Sequence, residues 1–215
     1  MYQYLLLDAA RMGAFLEEIK KLNSECESLY KTKGEEDMLQ SVAPYLFSFS
    51  NSPKLTEYFY EKGWGDSWGI IVGTSCSFTE LYKHLRKFLM VKTEDGEELY
   101  FRFYDPRVLR IFLPTCDAAQ LKELFGPIDY FLMEEEDSEF ALKYSLDYKN
   151  LRKEQLPFNS INKLSESKSS TYATTTEINN SNTTKTEFDI LEQKSNEVKK
   201  VSNPEIKKPK WNIFD

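Results

Sequence analysis

The composition of this chain breaks sharply near Pro157, and the break limits what can fold. From Asn159 to Thr186, 18 of 28 residues are Ser, Thr or Asn. Such a stretch has too little apolar surface to offset the roughly 1–2 kcal/mol per residue that backbone ordering costs. The sequence therefore predicts one folded domain over residues 1–157 and a disordered polar tail over 158–215. The last residues, KKPKWNIFD, bring back large apolar side chains after three lysines. They have no local core to join. Trp211, Ile213 and Phe214 read as a docking peptide within 204–215, with an inert end or a segment folded back on its own domain as the alternatives.

Ahead of the break, strand and helix signals alternate. Tyr2 to Leu7 is an apolar run fit for a buried strand. Met12, Phe15, Leu16, Ile19 and Leu22 have helical spacing and predict a helix from Arg11 to Leu22. Pro53 to Glu61 reads as a helix closed by Gly63, and WGIIVG (68–73) as a buried strand. Ser77 and Glu80 form a capping box that starts a helix burying Phe78, Leu81, Leu85 and Phe88. Asp95-Gly96 supplies a tight hairpin, followed by a strand from Glu97 to Tyr104. Strict alternation there puts Leu99, Phe101 and Phe103 on one face and Tyr100, Arg102 and Tyr104 on the other. Asp105-Pro106 opens a short helix, and Asp117 caps another. Ile128–Met133 and Phe140–Tyr148 are two late strands. The expected class is α/β of the mixed α+β kind: a mixed sheet with helices packed on it, followed by the disordered tail.

Charge narrows the partners. Residues 1–150 hold 26 acidic and 17 basic side chains, a net of −9, and the rest is +2. A general nucleic-acid binder needs a basic face, so nucleic acid is not expected. Cys26, Cys76 and Cys116 lie far apart and form no CxxC. They indicate neither a zinc site nor a disulfide framework, and free thiols fit a cytoplasmic protein. The opening MYQYLLLDAARMG lacks a basic stretch before its apolar run and reads as a strand, not a leader. No apolar run approaches the roughly 20 residues that span a membrane, so no membrane partner is expected.

Candidate chemistry is sparse. His84 is the single histidine, without a second His for a metal site. Gly73-Thr-Ser-Cys-Ser resembles a nucleophile elbow only loosely, because Ser77 stands where the second glycine belongs. Gly63-Trp-Gly-Asp-Ser-Trp-Gly precedes a strand, the wrong order for a phosphate loop; its tryptophans read as cover for the core edge. Glu134 to Asp137 reads as a solvated acidic loop, lacking the glycine turn of a calcium site. No catalytic, cofactor or metal residues are assigned. Four of the six arginines cluster instead between Leu81 and Pro114. Arg102 and Asp105 fit an internal ion-pair network. Arg107 and Arg110 with the His84–Arg86 helix fit a partner-binding face. The residues leave both readings open.

An ordered set of segments carries a resemblance: LLDAA (6–10), SLY (28–30), VAPYL (42–46), Trp68-Gly69, HLR (84–86) and FRFYDPRVL (101–109). Together they look like the adaptor-chaperone domain encoded beside type VI secretion effectors. FRFYDPR is the specific member, and the likeness spans about residues 4–131. It implies a cytoplasmic, non-catalytic protein that binds an effector and helps load it onto the VgrG spike. His84, Arg86, Arg102, Asp105 and Arg107 match the pattern. A hydrolase using Cys76 or Ser75 with His84, and a structural subunit of the secretion machine, are the competing expectations.

Overall fold

The computed structural model describes residues 1–30, 42–50, 52–92 and 96–161. Seven strands form one sheet in the order β2-β3-β1-β4-β7-β8-β9: β1 Tyr2–Asp8, β2 Cys26–Ser28, β3 Pro44–Ser48, β4 Gly69–Thr74, β7 Ile128–Glu134, β8 Phe140–Asp147 and β9 Asn150–Pro157. β5 (Met90–Lys92) and β6 (Glu98–Tyr100) pair apart from it as the expected hairpin. The α+β class holds. The strand directions are more uniform than a mixed sheet implies, since every pairing is antiparallel.

Alternation along β1 explains the continuous LLL run. Leu5 and Leu7 enter one core with Met12, Leu16, Ile19, Phe47, Leu55, Phe59 and Trp68. Tyr4 and Leu6 enter the other with Leu81, Leu85, Phe88, Leu109, Leu124 and Phe131. One face is thus covered by α1 (Ala9–Met12), α2 (Phe15–Leu22) and α3 (Pro53–Lys62). The other is covered by α4 (Phe78–Arg86), α5 (Pro106–Phe112) and α6 (Ala118–Phe125). A central strand buried on both faces needs no polar side, and each buried leucine is worth about 1.5–3 kcal/mol. Gly69 lets β1 and β4 close up, because a Cβ there would stand 2.1 Å from the Leu6 carbonyl oxygen.

Several local expectations are corrected. The single helix from Arg11 is two helices, broken at Gly13, whose φ of 55° suits glycine. The strand from Glu97 ends at Tyr100, and Phe101 to Asp105 turn off it. Alternation is therefore lost: Leu99 is 48% exposed, whereas Phe103 and Tyr104 are both buried. β9 was not foreseen. Its sequence, NLRKEQLP, is charged on both faces because it is an edge strand, and the turn before it uses Tyr148 at positive φ in place of glycine. Packing also continues past Pro157, where the tail was expected to begin: residues 158–161 are helical, Phe158 stacks on Trp64 at 5.0 Å, and Ile161 is buried. The tail from 162 onward, with Trp211, Ile213 and Phe214, lies outside the described residues.

Candidate partner-binding face

The face is built around Asp105. As N-cap of α5 it accepts from the Arg107 amide at 3.0 Å, and Pro106 at the first helical position has no N–H to satisfy. The same carboxylate takes Arg107 side-on, from Nε at 3.0 Å and Nη2 at 2.7 Å. Arg102 Nη2 lies 3.5 Å from Asp105 Oδ2, the oxygen Arg107 Nη2 also meets, and donates a hydrogen bond to Asp8. Asp8 ends β1 and caps α1 through the Ala10 amide at 3.0 Å. Two positions 94 residues apart in the chain are thereby tied by one guanidinium.

The two signs are sorted by depth. The Asp8 and Asp105 side chains are 0% and 2% exposed, whereas those of Arg102 and Arg107 are 43% and 45% exposed. Burial pushes the Asp105 carboxyl up, but the Arg107 bonds and the charges of both arginines outweigh it, so it stays below its ordinary value. Tyr104, buried beside Asp8 and Arg102, is pushed up to about 12, mainly by loss of water. Tyr30 meets Tyr100 edge to face at 5.9 Å and is also raised, first by burial and then by neighbours that include Asp8.

Glu134, expected in a solvated run, is instead 4% exposed. It accepts from the Gly65 and Ser67 amides at 2.6 and 2.9 Å and from Ser67 Oγ at 2.8 Å. Burial is the leading influence and leaves its carboxyl raised, while Arg110 pulls the other way. The Arg110 carbonyl accepts from Tyr144 at 3.4 Å. Asp8 and Glu134 were missed by reading the sequence. Asp8 had a signal, a polar residue ending an apolar run before Ala-Ala. Glu134 had none, lying among three other acidic residues.

A domain family, described as a domain of unknown function (DUF4123), matches residues 3–123. The chain belongs to that family. The match runs from β1 into α6 and includes Asp8, Arg102, Asp105 and Arg107; β7, β8 and β9 lie beyond it although β7 pairs directly with β4. No curated protein and no solved structure matches the chain with significance.

The other expected residues of this DUF4123 domain fall elsewhere on the face or off it. Arg86 is exposed on α4, its guanidinium 5.5 Å from the Tyr82 ring. His84 is fixed by the fold. Its Nε2 stands 2.9 Å from the Leu124 carbonyl oxygen, and its ring fills the space a Cβ on Gly126 would enter. Burial holds the imidazole below its ordinary value. Ser75 lies 3.3 Å from Asp129, and the Cys76 sulfur 3.2 Å from Thr74 Oγ1. One ring nitrogen of His84 is thus held by Leu124, while Ser75 and Cys76 find partners in Asp129 and Thr74. Trp68 is buried and Trp64 packs against Phe158, as core-edge cover requires. Among the described residues, no group of three His, Cys, Asp or Glu is placed to hold a metal, and no helix is long and apolar enough to cross a membrane.

Proposed function

We propose that this chain is a cytoplasmic adaptor that binds a type VI secretion effector and helps load it onto the VgrG spike, without catalysing a reaction itself. The observation that carries the reading is the family match over 3–123, which includes FRFYDPR at 101–107. In the fold that motif becomes two half-exposed arginines standing on buried carboxylates. Such a surface suits gripping a polypeptide, because a guanidinium held by a fixed partner loses little freedom when it binds another group.

The test is co-expression with the effector encoded beside it. The two proteins are expected to co-elute, and deleting this gene is expected to stop secretion of that effector while others continue. Failure to co-elute would overturn the adaptor reading. Loss of all secretion would point to a structural subunit instead.

A further inference from the structure

Asp105 is saturated: it caps α5, pairs side-on with Arg107 and lies beside Arg102. Arg102 meets these carboxylates through Nη2 alone, and Arg107 through Nε and Nη2. A guanidinium has five N–H donors, so each keeps donors that these contacts do not use. The carboxylates lie beneath the surface and the guanidinium groups at it. Beside them, β6 presents Tyr100, 63% exposed, with Tyr30 against its ring.

We infer that Arg102, Arg107 and Tyr100 form a carboxylate-reading site, whose occupant is an extended partner segment bearing an Asp or Glu next to an apolar side chain. The inference rests on the adaptor reading and adds the chemistry of what is recognised. Anchored guanidinium groups favour a planar carboxylate, which accepts paired N–H bonds. The aromatic flank favours a neighbour that buries apolar surface on Tyr100. Polyanions fit poorly. The net −9 of residues 1–150 repels dense negative charge within a Debye length of about 10 Å.

The full chain, labelled with nitrogen-15, resolves the Nε–H signals of its six arginines. The probe is a terminally blocked peptide, Ser-Leu-Glu-Phe-Ser, and its control carries Gln for Glu. The Glu peptide is expected to shift the Arg102 and Arg107 signals in a saturable way, and the Gln peptide to bind about tenfold or more weakly, the loss of a charge-assisted contact. Arg107→Lys is expected to weaken binding several-fold. Tyr100→Ala lies outside the ion-pair network and is expected to weaken binding while unfolding stays cooperative, with the melting temperature lowered only by the lost Tyr30 contact. Equal binding of the two peptides, or unmoved Arg102 and Arg107 signals, would overturn the inference. The effector itself is measured in parallel. Effector binding without a response to the Glu peptide removes this site and leaves the adaptor standing. The converse removes the adaptor and leaves the site.

Discussion

Replacing Asp105 by Asn asks whether the ion-pair network carries stability. The native carboxylate, 2% exposed, accepts from the Arg107 amide, Nε and Nη2 at 3.0, 3.0 and 2.7 Å, with Arg102 Nη2 at 3.5 Å. Asparagine keeps one oxygen, so the cap survives. Its amide nitrogen then faces guanidinium donors where an acceptor stood. Hydrogen bonds to charged groups contribute about 1.5–3 kcal/mol. Arg107 is 45% exposed, so water replaces part of the loss and the low end applies, about 2 kcal/mol for Asp105→Asn. Asp105→Ala also removes the cap, a further ~1 kcal/mol. A double-mutant cycle with Arg107→Gln should give a coupling of about 1–2 kcal/mol, since the residues touch. The acid arm has a definite sign. A carboxyl depressed in the folded state contributes stability present above its unfolded pKa and lost as pH falls through the folded one. Native protein should therefore weaken below the ordinary value of 3.8, and Asp105→Asn should weaken less steeply there. Urea unfolding followed by tryptophan fluorescence measures all four. A cost below about 0.5 kcal/mol, the range of ordinary surface changes, or zero coupling, would refute the reasoning.

Gly126 stands at φ 45°, and a Cβ there would lie 2.3 Å from His84 Cε1. Gly126→Ala should cost about 2–4 kcal/mol from backbone strain and overpacking, and less in a His84→Ala background; equal losses in thermal melts of both would separate the two residues. Phe158→Ala should cost about 1–2 kcal/mol and alter the Trp64 emission, because it removes a stack at 5.0 Å; an unchanged melt would place Phe158 outside the domain. His84, held below its ordinary 6.5 by burial, contributes stability that is complete above that value and lost as pH falls beneath it. His84→Ala should flatten stability against pH in that window, and an unaltered slope would show that the imidazole is not desolvated. Deleting 204–215 should lower affinity for effector or spike if Trp211, Ile213 and Phe214 dock; no change in either would make the tail a spacer.

Much of the architecture was legible because its signals are local. The Ser77–Glu80 and Asp117 capping boxes, the Asp105-Pro106 helix start and the apolar runs of β1 and β4 each act within a few residues. The Asp105–Arg107 pair was within reach for the same reason. What stayed hidden depends on distant contacts. The Asp8–Arg102 bond joins positions 94 apart, and Glu134 is buried only because the Gly65–Ser67 loop folds over it. Alternation failed at Phe101 because the chain turns to bring Asp105 to Arg102, and no two-residue period encodes that turn. β9 escaped because an edge strand needs no apolar face.

A body tied together by buried carboxylates is proposed to grip another polypeptide and leave it chemically unaltered. Native mass spectrometry of the full chain mixed with the effector encoded beside it tests this most directly. The expected result is a complex whose mass is the sum of two intact chains and which dissociates as ionic strength rises. A spectrum showing only the separate proteins, or a covalent mass change in either one, would contradict it.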